Sequence, residues 1–219
     1  VDAVVLSVRE GRLRVLLWQR RLDPDAGRWS LPGGGVPVDR RLRDAVSSHL
    51  ATKVDVREIA WLEQLATHSR VDRDPRGRVL ATAYLALVPA GTEPQLPEDT
   101  AWFDVHDLPP TALDHHFFVA AAVDRLRAKL SYTNIGFALV PQEFTITQLR
   151  DTVAAALGHA VDPTNMQRVM TRRAMIEPTG AHSAPGSSGG RPAALFRFRE
   201  RELTVTDPFA VFRPPKAGA

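Results

Sequence analysis

Along the first 130 residues the spacing of apolar positions changes several times, and each change marks an element. Residues 1–8 and 13–18 are short β-rich runs separated by the polar stretch Arg9-Glu10-Gly11-Arg12, which predicts a hairpin with glycine at its tip. A loop at 22–27 leads into Trp29-Ser30-Leu31-Pro32-Gly33-Gly34-Gly35, read as a sharp, glycine-dense turn. Between Asp39 and Lys53, apolar Leu42, Ala45, Val46 and Leu50 fall at i, i+3, i+4 and i+8, one face of a helix. Residues 59–67 and 79–88 read as strands about a turn at 72–77. The alanine-rich run 115–130 reads as a second helix with Asp114 as its N-cap. Strands surrounding two helices predict an α/β or α+β sandwich over 1–130.

Beyond this point the local chemistry differs. Thr145-Ile146-Thr147-Gln148 fits a capping box, and Leu149, Val153 and Leu157 continue an apolar stripe until Gly158 ends the helix. Asp162-Pro163 supplies an N-cap and an N1 proline for another helix running to about Ala174. Met166, Val169 and Met170 form its buried face, and Asn165, Arg168 and Arg172 share the solvent side. A Gly/Ser/Pro-dense loop at 180–192 then runs into Leu195-Phe196-Arg197-Phe198-Arg199, where aromatic and basic residues alternate with period two. Helix, short connection, helix and two-stranded ribbon are the order of a winged helix-turn-helix over 141–205, with the joint expected near 130–141.

Charge sharpens that picture. The net charge is only +3, and residues 131–219 carry all of the excess, with ten basic against seven acidic residues. Within 163–199 six arginines (Arg168, Arg172, Arg173, Arg191, Arg197, Arg199) face one acid, Glu177. Such clustering on a small domain is the footprint of a polyanion partner. Asn165, Arg168 and Arg172 suit base edges in a major groove, and Arg173 and Arg197 suit phosphates. Arg191 with Pro192 suits a minor groove or the backbone. The chain has no cysteine, which removes disulfides and thiolate chemistry. No apolar run is long enough to span a bilayer, and a cytoplasmic location is expected.

Leu31-Pro32-Gly33-Gly34-Gly35-Val36 followed by an amphipathic helix resembles the Nudix signature G-x5-E-x7-R-E-U-x-E-E-x-G-U, in which U is a bulky aliphatic residue. Counted from Gly34, the first glutamate position holds Arg40 and the R-E pair holds Ser48-His49. The aliphatic position holds Leu50, the E-E pair holds Thr52-Lys53, and the last two places hold Asp55 and Val56. The scaffold positions are kept, and the carboxylates that would hold divalent cations are absent, which predicts no hydrolytic enzyme and no metal site. Arg20, Arg21, Trp29, Gly33, Gly34 and Tyr84 are candidates to bind a nucleotide, with Lys53 standing where a cation would lie.

Glu63-Gln64-Leu65-Ala66-Thr67, the segment from Asp72 to Val79, and Ala83-Tyr84-Leu85-Ala86-Leu87-Val88 resemble the Nudix-related transcriptional regulators of the NrtR family. So do Leu139-Val140-Pro141-Gln142-Glu143-Phe144-Thr145, the opening of the second helix at Asp162, and Gly190-Arg191-Pro192-Ala193. The resemblance implies a Nudix-like α/β/α sandwich for effector binding and dimerisation, followed by a winged helix. It implies a homodimer that binds double-stranded DNA at a palindromic operator and represses genes of NAD synthesis or salvage. ADP-ribose or a related NAD-derived nucleotide would be the effector, with no resident cofactor. Two alternatives stay open at this point: an ADP-ribose pyrophosphatase with unusual metal ligands, and a nucleotide-binding adaptor whose winged helix contacts protein.

Overall fold

The N-terminal runs pair as the alternation predicts. Strand β1 (Asp2–Arg9) pairs antiparallel with β2 (Arg12–Gln19) in the register Leu6↔Val15 to Arg9↔Arg12. The two loop residues, Glu10 at φ 50° and Gly11 at φ 71°, are both left-handed, as a type I′ hairpin requires. The computed structural model describes residues 1–184 and 192–207, in two compact units, Val1–Arg125 and Leu126–Ala219.

In the first unit β1 lies inside a mixed sheet of order β3-β2-β1-β5-β4, with β6 also paired to β2. The further strands are β3 (Trp29–Ser30), β4 (Trp61–His68), β5 (Ala81–Leu87) and β6 (Thr100–Asp104). β1 runs parallel to β5, and its residues from Ala3 to Val8 are all buried, as a strand covered on both faces should be. β3 and β6 were not predicted. One has two residues, and the other is half-buried with no clear alternation.

Helix α1 (Leu42–Lys53) buries Ala45, Val46 and Leu50, and the last two join a core with Ala3, Val5, Leu16 and Leu62. It starts three residues after Asp39, and Leu42 stays partly exposed. Past its end Asp55, where the Nudix signature has glycine, adopts φ 52°. Its carboxylate accepts from the Gln95 N–H at 3.1 Å and from Arg57 at 2.9 Å, local bonding that helps an aspartate hold a left-handed backbone. Helix α2 (His115–Tyr132) follows the expected run and begins directly after Asp114, the expected N-cap position. That carboxylate is buried and occupied by Arg73 and His68.

In the second unit a 3₁₀ turn (Ile135–Ala138) precedes β7 (Phe144–Thr145), α3 (Ile146–Leu157), α4 (Pro163–Arg172), β8 (Ile176–His182) and β9 (Ala194–Phe198). The strands pair in the order β7-β9-β8. Both caps are as predicted. Thr145 and Gln148 form a reciprocal capping box, Gly158 closes α3 at φ 79°, and the Asp162 carboxylate accepts from the Asn165 N–H. The expected joint at 130–141 is corrected. Residues 133–140 are all buried, so they are core of this unit and not a linker to a domain starting at 141. The apolar run Ile135 to Val140 demands that burial. Arg191, assigned to the wing tip, lies outside the described residues, and Pro192 is exposed just before β9.

Phe198 on β9 is 3% exposed and packs against Phe144 and Phe137, with ring centroids 5.4 and 6.4 Å away. Phe198→Ala should therefore cost about 3–5 kcal/mol in urea denaturation of the chain. A loss below about 1 kcal/mol would mean that this aromatic trio is not the core of the winged helix.

Candidate functional sites

A cleft of about 630 Å³ opens in the first unit, lined by the 30–36 turn, the end of α1, the segment from Arg73 to Ala81 and the start of α2. Five of the seven predicted effector residues line it: Arg20, Arg21, Gly33, Gly34 and Lys53. Trp29 and Tyr84 do not. Trp29 sits on β3 with its ring edge-on to Phe103 at 4.5 Å. Tyr84, 6% exposed on β5, belongs to the core shared with α1. A residue of an interior strand facing a helix is packing material, and no sequence motif distinguishes it from a pocket wall.

The two glycines line the cleft for a reason other than the one expected. A Cβ on Gly33 would lie 2.3 Å from the Val1 carbonyl oxygen, and one on Gly34 would lie 2.8 Å from the His49 ring. The turn is laced to the start of β1: Ala3 donates to the Pro32 carbonyl at 2.9 Å, and Gly34 donates to the Val1 carbonyl at 2.8 Å. The Gly34 N–H is thus committed to backbone and is not offered to a phosphate. His49 is likewise structural, its Nε2 donating to the Gly35 carbonyl at 2.8 Å.

Lys53 reaches in from the last turn of α1. Its Nζ donates to the Gly33 carbonyl at 2.5 Å and lies 5.0 Å from the centre of the Trp18 ring. Burial draws its pKa down, Asp2 pulls it up, and the Arg20 charge pushes it down further. Arg20 donates through Nε to the Pro24 carbonyl at 2.9 Å, and Arg21 pairs with Asp99 at 2.8 Å.

The sequence reading passed over the opposite wall. Arg73, 4% exposed at its side chain, makes a two-point bond with Asp114 at 2.6 and 3.2 Å, and His68 contacts the same carboxylate at 3.3 Å. Burial alone would raise the Asp114 pKa, but the hydrogen bonds from Arg73 and His68 outweigh it and hold the pKa below the usual value. Asp74 is paired with Arg76 at 2.7 Å, which lowers its pKa to about 2. The neighbouring His115 is 2% exposed, and its Nδ1 accepts from the Leu31 N–H at 3.0 Å with Ser30 Oγ at 3.1 Å. Because Nδ1 accepts from the Leu31 N–H, the ring proton belongs on Nε2, and burial lowers the imidazole pKa. The alternation of charges from Arg73 to Arg76 was the available signal for this wall, but only tertiary structure assigns their partners.

In the second unit Asn165, Arg168 and Arg172 are all exposed on α4, at i, i+3 and i+7 along one side. Arg168 Nη2 donates to Asn165 Oδ1 at 2.8 Å, so a preformed amide–guanidinium pair faces solvent. Two predicted phosphate contacts differ from expectation. Arg173 is folded back, its side chain 19% exposed, with Nη1 3.4 Å from the Ser131 carbonyl and Nη2 3.8 Å from Asp207. Arg197 is exposed but shares Glu177 with Arg199, at 2.8 and 3.5 Å.

These features define a class, a Nudix domain carrying a winged helix with a basic recognition helix. Residues 1–124 match the NUDIX domain, and residues 136–198 match the NrtR DNA-binding winged helix domain. The chain is 32% identical over 218 residues to the ADPR-responsive transcriptional repressor NtrR of Acinetobacter baylyi, spanning 95% of this chain and 84% of that protein. It resembles the crystal structure of Shewanella oneidensis NrtR in complex with a 27mer DNA. There the TM-score is 0.77 at 28% identity, over 90% of this chain and 92% of that one. The isolated NUDIX domain of the same protein, solved with ADP ribose, matches at a TM-score of 0.52 and 34% identity, over 57% and 85% of the two chains. The chain belongs to the NrtR family.

Asp114→Asn should destabilise the fold by about 3–5 kcal/mol, because it leaves the Arg73 guanidinium buried without its counter-ion. The pH dependence has a definite sign. The folded pKa of Asp114 is depressed, so its contribution is present above the ordinary carboxylate pKa and is lost as pH falls through the folded value. Denaturant midpoints measured from pH 6 to pH 3 should fall less steeply for Asp114→Asn than for the wild type. Equal slopes would remove this site from the acid response.

Proposed function

We propose that the protein is a transcriptional repressor that binds a palindromic operator as a homodimer, with ADP-ribose or a related NAD-derived nucleotide as its effector. Genes of NAD synthesis or salvage are the targets this family membership suggests. One observation carries the reading: α4 presents Asn165, Arg168 and Arg172 on a single exposed side of a winged helix. These are the side chains suited to bidentate contacts with adenine and guanine edges. The whole-chain likeness to a protein solved on DNA, and the likeness of the first unit to a domain solved with ADP ribose, support the same assignment. An effector that favours the arrangement unable to bridge two half-sites, roughly 34–36 Å apart, weakens DNA binding by its differential affinity.

The Nudix unit acts here as a sensor and not as a hydrolase. The positions that hold glutamates in the signature carry Arg40, His49, Thr52 and Lys53, and α1 contains one carboxylate, Asp44. Among the described residues no group of three or more His, Asp or Glu side chains is arranged to hold a metal. A divalent cation does not fit these residues. Also among the described residues, no helix is long and apolar enough to cross a membrane.

Fluorescence anisotropy with an operator palindrome and its scrambled counterpart, at about physiological salt, tests this reading. Expected are sequence-dependent binding by the full chain, its release by ADP-ribose, and no phosphoribosyl product after incubation with Mg²⁺. Arg168→Ala should cost about 1–3 kcal/mol on the operator and relax discrimination, whereas Arg197→Ala should weaken both DNAs to a similar, smaller extent. Equal affinity for the two DNAs would overturn the repressor assignment, and product formation would overturn the sensor assignment.

A further inference from the structure

We infer that Lys53 and Arg20 together hold the diphosphate bridge of the pocket ligand directly, so that this cleft takes a diphosphate dianion without a divalent cation. The inference rests on the sensor reading above and specifies how the same cleft binds.

The charges lining the cleft divide into two sets. Arg73, Arg76 and Arg21 are each matched by a carboxylate, Asp114, Asp74 and Asp99 respectively. Lys53 and Arg20 line the same cleft, and among the described residues neither has a carboxylate within ion-pair distance. Their contacts are to carbonyl oxygens and to the face of Trp18. Each side chain retains donors: one of the three ammonium hydrogens is used by Gly33, and the terminal nitrogens of Arg20 are not needed for its Nε bond to Pro24.

A half-buried ammonium with a like charge beside it is a costly arrangement unless an anion completes it. Burial contributes most to the depressed Lys53 pKa; the Asp2 carboxylate opposes it, and the Arg20 charge, a smaller influence than Asp2, adds to it. Asp2 acts on Lys53 at longer range but makes no ion pair with it. Two positive charges converging on one cleft match the two negative charges of a diphosphate diester. The same two charges repel a divalent cation, and Asp74, the other carboxylate lining the cleft, is already held by Arg76. The stem of Lys53 is fixed at both ends, by α1 and by the Gly33 carbonyl, so the ammonium is presented with little conformational freedom left to lose.

Calorimetric titration of the full chain with ADP-ribose, in EDTA and then in millimolar Mg²⁺, tests this, with inorganic pyrophosphate in EDTA as a second probe. The expected result is ADP-ribose binding in EDTA that changes less than about twofold on adding Mg²⁺. Lys53→Met and Arg20→Met should each weaken it by about tenfold or more, with melting temperatures confirming that the variants fold. Wild-type binding that tightens at least tenfold with Mg²⁺ would overturn the inference and leave the effector reading standing. Lys53-dependent binding of pyrophosphate without any binding of ADP-ribose would support the anion cradle while removing the nucleotide assignment. Binding of neither probe would overturn both. The metal comparison uses the wild-type protein, so it decides the matter even if a variant fails to fold.

Discussion

The buried pair between Arg73 and Asp114 is the constraint on which the first unit's cleft depends. Asp114 precedes α2 in the chain, Arg73 comes from the connection between β4 and β5, and His68 from the end of β4 touches the same carboxylate. One residue further on, His115 accepts the Leu31 N–H and so fixes the glycine-dense turn. Three segments remote in sequence are therefore set against one another by two adjacent residues. Buried ion pairs contribute little net stability compared with apolar packing, but removing one partner is expensive. That asymmetry suits a wall whose task is position, because it penalises every arrangement except the one in which the partners meet.

The glycine turn shows how a scaffold keeps its shape while the side chains along it change. Gly33 and Gly34 are required because the turn passes within contact of the Val1 backbone and the His49 ring, not because phosphate must reach the backbone. Asp55 holds the left-handed position of the signature glycine by accepting from Gln95 and Arg57. The backbone path at both ends of α1 is thus preserved while the side chains along it have changed. Lys53, at one of those changed positions, becomes part of the wall through a bond to Gly33.

What could be read from the sequence was local. The Glu10-Gly11 hairpin, the buried stripe of α1, the Thr145–Gln148 box and the Asp162 cap are each decided by residues within a few positions of one another. The winged-helix order and the exposed side of α4 followed from them, and the family from the resemblance of short segments such as Leu31–Val36 and Leu139–Thr145. Features decided at long range were not legible. The two residues of β3 are a strand only because β2 lies beside them. Tyr84 is core because α1 covers its face of the sheet. Arg173 is withdrawn from a DNA surface by Ser131 and Asp207, both distant in the chain. Residues 133–140 looked like a joint because they follow a helix, yet Asn134 donates to the carbonyls of Glu200 and Glu202 and accepts from the Thr204 N–H, closing the second unit.

Among the described residues the two sites share a signature, cations without carboxylate partners, but burial gives it unequal weight. Arg168 and Arg172 stand in water, where an uncompensated charge costs little, so their meaning comes from geometry: a common side of α4 and an amide neighbour at Asn165. On β9, Glu177 already holds Arg197 and Arg199, so phosphate contact there is an exchange of one anion for another and adds less than it would from an unpaired arginine. Lys53 is the opposite case. It has been withdrawn in part from water and set beside Arg20, with Asp2 acting on it from a distance and, among the described residues, no carboxylate in ion-pair contact, and a fold that meant only to pack would place an apolar residue there. Retaining an ammonium at that point is a standing electrostatic cost, and it becomes intelligible when a bound anion removes it.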